Sequence, residues 1–449
     1  MAVKDDLFSD AKLYWEFAKS IAVMAVIILL YFSGYTNTAL FLLLASSLIT
    51  DIYLSNRNKK ISFNDISQIV VLLICAKLFL EPIIVRIIIF PLMLSNVLKV
   101  SRLFFQMDKD VDYLKAIGVN ISIIILLVIS YSYFTNLINF SSIVAALSIS
   151  LLLSAFIVLI DNKYIYIILT PFSLILLHML FFSGFEENYQ VLLGIGFAMV
   201  VAFISIRLKF LTITGSIATF VMAGMLFGFG GIKWSVPILT FFILSSLLSK
   251  VRKKHNEEVE LYFEKSGVRD HWQVMANGGL GVVCLLLYFY TSNELYYLMN
   301  IVSLAAVCAD TWATEIGTYK RTNTYNILTF KPIEQGRSGG ISITGTFGSF
   351  LGASVIALSG LFWIQIGFAE YFFVIILLGI LGSFVDSIIG ATIQHQLKCN
   401  VCEKITEKKL HCGKHTTFYS GFTFINNDIV NFVSAVVAVL ILFFMSYSV

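Results

Sequence analysis

Long apolar runs separated by short polar stretches follow one another along the whole chain. About fifteen of these runs approach the roughly 20 residues that an α-helix needs to cross a hydrocarbon core. They show no ten-residue alternation of apolar and polar positions, as a membrane β-barrel would require. The pattern therefore predicts an all-α, polytopic transmembrane helical bundle of about 14–15 spans. The predicted spans are residues 17–33, 38–54, 64–81, 83–98, 116–134, 141–160, 164–183, 191–206, 210–228, 234–249, 277–291, 295–312, 341–366, 371–393 and 429–447.

Composition agrees with this pattern and excludes other classes of protein. The 449 residues are 58% hydrophobic and only 13% charged, which is far from the composition of a soluble domain. A water-soluble enzyme, a disordered chain and a secreted disulfide scaffold are therefore excluded. The net charge of +4 does not imply a nucleic-acid partner, because excess Lys and Arg in a membrane protein marks cytoplasmic loops.

Loop charge predicts the orientation in the membrane. With the N-terminus inside, nearly all of the 31 Lys and Arg residues fall in or beside inside loops, and only Lys233 falls in an outside loop. This is the distribution that the positive-inside rule expects. An even number of spans would result if the run around Pro82 or Pro91 is re-entrant, since proline removes a helical hydrogen bond.

The spans divide into two regions of different character. Residues 1–185 have mostly short loops and few carboxylates within spans, and the sequence assigns this transmembrane region no role. Residues 186–449 contain the glycine-rich spans and the three longest inside loops, including a Cys/His loop at residues 394–428. We therefore expect the chemistry of the protein in residues 186–449.

Polar side chains of this second region lie in or at the ends of spans leading to one aqueous side. They are Arg269, Asp270, Gln273, Asn277, Asp310, Thr314, Glu315, Asp386, Gln394, Asn426, Asn427, Asp428 and Asn431. A carboxylate facing hydrocarbon is costly, so these groups normally face the bundle interior, a partner or water. Their convergence predicts a cation site, and Mg²⁺ fits because it prefers oxygen ligands, water and substrate phosphates. The alternative is that the acids cap helices or pair with nearby Arg and Lys residues such as Arg269, Lys320, Arg321 and Arg337.

A glycine loop at residues 336–342, Gly-Arg-Ser-Gly-Gly-Ile-Ser, precedes the predicted span at 341–366. Adjacent glycines let backbone N–H groups approach an anion, and a helix N-terminus adds its positive end. Arg337 or Lys331 would add positive charge. The loop lacks the GxxxxGK[ST] pattern of a Walker A motif. It predicts a phosphate-binding turn, although a simple turn and helix cap would give the same pattern.

Three cysteines and a histidine in the loop at residues 394–428 have the spacing of metal ligands. The pattern is Cys399-x2-Cys402-x9-Cys412-x2-His415. In a reducing cytoplasm such pairs favour a tetrahedral Zn²⁺ site over a disulfide. His411 is an alternative fourth ligand, and free thiols are the alternative to any metal. With four protein ligands the zinc would be structural.

Five stretches of the second region resemble a known family, the integral-membrane family of phytyl-phosphate kinase and transmembrane protein 19. The resemblance covers residues 190–449, and prokaryotic members look similar in having a Cys-x2-Cys loop. The matching stretches, in order, are GVRDHWQVMANGG (267–279), ADTWATEIG (309–317), GRSGGISITGT (336–346), GSFVDSIIGATIQ (382–394) and NNDIVNF (426–432). A departure from the family pattern is Arg337-Ser338, where a small or polar pair is expected, and it affects the prediction of the donor nucleotide.

The resemblance implies phosphorylation of a long isoprenoid alcohol or its monophosphate, with CTP favoured among nucleoside triphosphates and with Mg²⁺ as cofactor. It implies a prokaryotic cell membrane, an active site on its cytoplasmic side, and lipid and nucleotide as partners. The residues implied in catalysis and magnesium binding are Asp310, Glu315, Asp386 and Asp428. Those implied in nucleotide binding are Arg269, Asp270, Gln273, Asn277, Ser338, Gly339, Gly340, Asn427 and Asn431. Arg337 joins this predicted set because of its positive charge in the glycine loop.

Two other functions use similar groups. A cytidylyltransferase that makes a CDP-activated lipid would release pyrophosphate instead of a nucleoside diphosphate. An ion-coupled transporter also has glycine-broken helices with buried acids, but it would place the acids near the middle of the membrane and show inverted repeats. The acids here cluster toward one side, which favours the kinase.

Overall fold

A computed structural model describes residues 140–159, 185–256, 262, 268–364 and 368–447, with isolated positions between 121 and 179. The chain divides into two compact units, Met1–Leu192 and Leu193–Val449. The predicted N-terminal orientation and the spans at 17–33, 38–54, 64–81, 83–98, 116–134 and 164–183 lie wholly or largely outside the described residues. The structure therefore bears mainly on the second unit.

The described residues are mostly helical, as the hydropathy pattern predicts. The helices are α1 (Phe140–Leu159), α2 (Phe185–Arg207), α3 (Ile213–His255), α4 (His271–Thr291), α5 (Glu294–Gly317), α6 (Ile343–Leu361), α7 (Phe368–Thr392) and α8 (Asn427–Tyr447). Helices α2 to α8 are the seven within the described residues that are long and apolar enough to span a membrane. The predicted transmembrane helical fold is confirmed for this part of the chain.

Helix α3 contains two of the predicted spans, 210–228 and 234–249, joined at Gly231. The backbone of Gly231 has φ 63° and ψ −158°, a conformation that glycine adopts at little cost. Gly215, near the start of α3, lies close to the carbonyl oxygen of Arg269, and Ser246, near its end, accepts a hydrogen bond from the guanidinium of the same residue. Both ends of α3 therefore lie beside Arg269, which shows that the chain reverses at Gly231. The two arms of α3 thus run in opposite directions, and each provides one of the predicted spans.

Helix α5 is the centre of the second unit. It is the most buried of the seven candidate spans and packs against α3, α4, α6, α7 and α8. Glycines allow the closest approach, since a Cβ on Gly352 of α6 would lie 2.7 Å from the carbonyl oxygen of Cys308, and one on Gly348 would lie 2.5 Å from that of Trp312. Small residues that let backbones meet in this way are the usual basis of tight packing between membrane helices.

Small antiparallel sheets order the long loops, a feature that hydropathy does not predict. In the loop before α6, β1 (Thr324–Asn326) pairs with β2 (Pro332–Ile333) and β3 (Gly340–Ile341). After α7, β4 (Gln396–Lys398) pairs with β5 (Ile405–Thr406) and β8 (Thr417–Ser420), while β6 (Leu410–His411) pairs with β7 (Lys414–His415). Both loops lie at the end of the bundle that contains Arg269, and together they close it.

Candidate active site

A polar cavity of about 200 Å³ opens at this end of the bundle. Its walls are the ends of α3, α4, α5, α7 and α8, the start of α6 and the two long loops. Every polar position that the sequence indicates for the cation and phosphate sites lines it, except Asp270 and Lys331. These lining residues are Arg269, Gln273, Asn277, Asp310, Thr314, Glu315, Arg337, Ser338, Gly339, Gly340, Asp386, Gln394, Asn426, Asn427, Asp428 and Asn431. Groups separated by up to 162 positions in the sequence therefore share one cavity.

Asp310 and Asp386 form the acidic wall of the cavity. Asp310 lies on α5 and Asp386, which is buried, on α7. The side chain of Ser383 hydrogen-bonds to Asp310, and the hydroxyl of Ser349 on α6 lies 3.2 Å from that of Ser383. Three helices thus fix the position of Asp310. The two aspartates also act electrostatically on one another, an arrangement that an incoming cation would stabilise.

Glu407 is a third carboxylate on this wall, and sequence analysis missed it. Its Oε1 accepts hydrogen bonds from Ser338 Oγ at 2.8 Å and from Gln394 Nε2 at 2.7 Å. Its charge acts on both Asp310 and Asp386. Glu407 stands in a lysine-rich loop, Glu-Lys-Ile-Thr-Glu-Lys-Lys, where an acid normally indicates an exposed, solvated position. No local pattern therefore distinguishes it.

Glu315 faces the cavity but is already paired. Its Oε2 accepts a hydrogen bond from Arg252 Nε at 2.7 Å, and its Oε1 accepts one from Ser249 Oγ at 2.6 Å. Both side chains of the ion pair are buried. Since each oxygen of Glu315 already has a strong donor, this geometry does not support the expectation that Glu315 is a magnesium ligand. Its partner, Arg252, is also not one of the basic residues that the sequence suggests as ion-pair partners of the acids.

Asp270 and Arg269 precede α4 and have different roles. Asp270 Oδ1 accepts a hydrogen bond from the backbone N–H of Gln273 at 3.0 Å, so Asp270 is the N-cap of α4. It is not among the residues that line the cavity, and the ligand-binding role that the resemblance implies stays a prediction. Arg269 is buried, lies over the rings of Phe241 and Phe242, and donates to Ser246 Oγ at 2.7 Å. Burial lowers the pKa of Arg269, while the charge of Glu315 opposes that shift.

The glycine loop lines the same cavity beside the acidic wall, where Ser338 donates a hydrogen bond to Glu407. Its backbone has the turns expected for an anion-binding segment. Gly336 and Gly339 have φ values of 89° and 80°. The loop leads through β3 into α6, whose N-cap Ser342 accepts a hydrogen bond from Gly345 N at 3.0 Å. Arg337 lines the cavity and lies over the ring of Tyr419. Backbone N–H groups, a helix N-terminus and one guanidinium therefore meet at this wall.

Gly339→Ala is expected to destabilise the protein more than Gly413→Ala. Both glycines have positive φ, 80° and 72°, but a Cβ on Gly339 would lie 2.6 Å from that of Ala391, whereas nothing lies within 4 Å of one on Gly413. The left-handed backbone costs alanine about 1–2 kcal/mol, and overpacking adds about 1–3 kcal/mol. Thermal unfolding of both variants in detergent measures this difference. Equal melting temperatures would show that Gly339 does not pack tightly against α7.

Three cysteines and His411 form a compact cluster in the loop after α7. One ligand atom from each of Cys399, Cys402, His411 and Cys412 lies within 4.8 Å of the others. His415, the fourth ligand of the sequence prediction, is exposed and pairs in the β6–β7 hairpin with Leu410. His411 is buried, and its Nδ1 lies 3.2 Å from Cys412 Sγ and 3.5 Å from Cys402 Sγ. The hairpin therefore places His411, and not His415, in the position of the fourth ligand, an alternative that the spacing left open.

The protonation of these thiols reflects their surroundings. Hydrogen bonds from the backbone N–H groups of Cys402 and Val401 lower the pKa of Cys399 to about 6. Hydrogen bonding to Cys402 raises the pKa of Cys412 to about 11. Of these two thiols, Cys399 therefore loses its proton more readily, and thiolates are the form in which cysteine binds metal.

Comparisons with known proteins agree with this arrangement. A family described as integral membrane protein DUF92 matches residues 196–439. Protein PGR of Arabidopsis thaliana is 28% identical over 273 residues, which are 56% of this chain and 93% of that protein. Uncharacterized membrane protein MJ0933 of Methanocaldococcus jannaschii is 30% identical over 40% of this chain and 74% of its own length.

Protein VTE6, chloroplastic, of Arabidopsis thaliana is 25% identical over half of this chain and 62% of its own length. No solved structure matches the chain. The matched family segment comprises α3 to α7, most of α2 and α8, and every residue of the polar cavity. The resemblance found in the five sequence stretches is thereby confirmed at the level of the family: this chain belongs to the integral membrane protein DUF92 family.

Proposed function

We propose that the protein transfers a phosphoryl group from a nucleoside triphosphate, CTP in the first instance, to a long isoprenoid alcohol or its monophosphate. The observation that carries this proposal is the presence of Asp310, Asp386 and Glu407 together with the glycine loop in the lining of one cavity. Phosphoryl transfer depends on alignment and on neutralising charge. A carboxylate wall for a divalent cation and a backbone N–H wall for phosphates meet both needs.

Oxygen atoms at the cavity wall fit a hard cation. Asp386 Oδ2, Asn277 Oδ1 and Asn431 Oδ1 are buried and have no hydrogen-bond partner within the described part of the chain. Such oxygen atoms are costly unless they bind a ligand, and Mg²⁺ prefers oxygen donors. We assign its binding to Asp310, Asp386 and Asp428. Bound there, the cation would neutralise charge on the transferring phosphoryl group.

The glycine loop would hold the donor. The backbone N–H of Gly339 and the guanidinium of Arg337 would bind its phosphates, while the N–H of Gly340 donates to the carbonyl oxygen of Arg337 at 3.1 Å and orders the turn. The acceptor oxygen attacks the terminal phosphorus, the bond to the bridging oxygen breaks, and the nucleoside diphosphate leaves. If the acceptor is an alcohol, a cavity carboxylate takes its proton. A monophosphate acceptor is already anionic and needs no such base.

An apolar groove beside the cavity supports a lipid acceptor. It has a volume of about 420 Å³ and is lined by Tyr325, Phe330, Ile341, Ser342, Ile343, Thr346, Phe347 and Phe350. Ile341, Ser342 and Thr346 also line the polar cavity, so the groove leads from it to the outer surface of α6. Ile343 is 91% exposed and Phe347 57%. An isoprenoid chain would lie along this groove, with its hydroxyl or phosphate beyond Ser342.

Charge supports a cytoplasmic location for the cavity. At the cavity end, α3 finishes with Lys250, Arg252, Lys253 and Lys254, and lysines recur throughout the loop after α7. At the opposite end of the described bundle, Lys233 pairs with Glu294. The excess of Lys and Arg marks the cytoplasmic side, where nucleoside triphosphates are made and used.

The test is transfer of label by the purified protein. CTP, ATP and GTP labelled in the terminal phosphate are incubated with Mg²⁺ and short prenols or prenyl phosphates, and the lipid phase is analysed. We expect labelled lipid and release of the nucleoside diphosphate. Labelled pyrophosphate and a CDP-lipid would identify a cytidylyltransferase instead. Absence of any product from all donors would contradict an enzymatic function and favour transport.

A further inference from the structure

We propose that Cys399, Cys402, His411 and Cys412 bind one zinc ion, and that this metal holds Glu407 against the glycine loop. The four ligand atoms lie within 4.8 Å of one another. A tetrahedral zinc ion with three sulfur ligands separates those ligands by roughly 3.8 Å, given Zn–S bonds near 2.3 Å. Only a small contraction of the cluster would therefore complete such a site. Three sulfurs and one imidazole are a common structural zinc set.

The chain between the ligands leads directly to the polar cavity. Cys402 and His411 close a short segment that contains β5 and Glu407. Thr406 is buried in this segment, and its Oγ1 donates to Tyr262 O at 3.1 Å. The backbone N–H of Glu407 donates to the same carbonyl at 2.9 Å. The metal, bound by Cys402 and His411 at the ends of this segment, and the hydrogen bonds to Tyr262 in its middle thus restrict where the carboxylate of Glu407 can lie.

Glu407 joins three separate elements at the cavity. Its Oε1 accepts from Ser338 Oγ of the glycine loop and from Gln394 Nε2 just beyond α7. In the loop after α7, Gly421 packs so closely against Gln394 that a Cβ on Gly421 would lie 2.0 Å from the carbonyl oxygen of Gln394. The carboxylate of Glu407 therefore links the glycine loop to the loop that contains the cysteine–histidine cluster. Glu407 is a positioning residue in this proposal.

Metal binding would maintain this link. A metal site assembled from loop residues places its binding free energy into ordering that loop. Without the metal, the segment from Cys402 to His411 is held by the small β4–β5 and β6–β7 pairings and by hydrogen bonds such as those to Tyr262. We then expect Glu407 to leave Ser338, and the glycine loop to become more mobile. The consequence for catalysis depends on the proposed phosphoryl transfer, whereas metal content and loop order do not.

The experiment compares two histidines of one hairpin. The full-length protein and its His411→Gln and His415→Gln variants are purified without added metal, and zinc is measured by mass spectrometry. We expect one zinc per chain in the wild type and in His415→Gln, and a loss of at least about tenfold in His411→Gln. His411→Cys should regain zinc, because a thiolate can replace the imidazole. This rescue separates loss of a ligand from failure to fold.

Hydrogen exchange then tests the link to the cavity. Peptides covering residues 336–342 and 399–415 should exchange faster in His411→Gln and after chelation, but not in His415→Gln. Glu407→Gln should keep its zinc and still show faster exchange at residues 336–342. Equal zinc content in both histidine variants would overturn the metal site. Unchanged exchange of the glycine loop in His411→Gln and Glu407→Gln would overturn the link, whatever the enzymatic activity.

Discussion

Asp386→Asn and Asp310→Asn are expected to reduce phosphoryl transfer at least about 100-fold each, because losing a cation ligand removes several kcal/mol of charge stabilisation and each 1.36 kcal/mol is tenfold in rate. Both residues line the cavity that the glycine loop also lines, and Asp386 is buried there. Asparagine keeps the shape and removes the charge. Initial rates at increasing Mg²⁺ measure the effect, and partial recovery at high Mg²⁺ is expected.

Glu370→Gln is the matched control for these variants. Glu370 lies on α7 with Asp386 but is exposed in the first turn of the helix, about 24 Å away at the helical rise of 1.5 Å per residue. It should keep wild-type activity. If Asp310→Asn and Asp386→Asn remain folded and active, the proposed cation site is wrong. If Glu370→Gln loses activity as well, the charges on α7 affect activity through the stability of the protein and not through the proposed cation site.

Separating the buried pair of Arg252 and Glu315 is expected to cost about 3–5 kcal/mol of unfolding free energy, since the remaining charge loses its opposite charge while it stays largely shielded from solvent. The two side chains are only 4% and 9% exposed. Glu315→Gln and Arg252→Met should each lower the melting temperature in detergent by several degrees. The loss should appear without any substrate, which distinguishes a stabilising role from a ligand-binding one.

A double-mutant cycle measures the coupling between these two residues. Arg252→Met with Glu315→Gln removes both charges and should be more stable than either single variant. The exposed pair of Lys233 and Glu294 is the comparison, and Glu294→Gln should cost only about 0–1 kcal/mol. Single variants of the buried pair that are no less stable than Glu294→Gln would contradict the assignment. Glu315 would then again be a candidate for magnesium binding.

Hydropathy predicts the spans of the second unit well because membrane crossing depends on local composition. The spans predicted at 191–206, 277–291, 295–312 and 429–447 correspond to α2, α4, α5 and α8, and those at 210–228 and 234–249 are the arms of α3. Their polar ends also meet at one side, since alternating helices leave only two possible ends. Hydropathy does not predict the small sheets, because strands of two to four residues are too short to show a periodic pattern.

The sequence alone determined the helical membrane fold, the end of the bundle at which the polar groups gather, and the metal-ligand spacing, because depth in a bilayer and ligand chemistry are encoded locally. The tertiary structure decided which groups touch. It paired Glu315 with Arg252, made Asp270 a helix cap, replaced His415 with His411, and brought Glu407 from a lysine-rich loop to Ser338. These outcomes depend on contacts between segments that are far apart in the sequence, and such contacts form only once the helices have packed and the loops have closed over them.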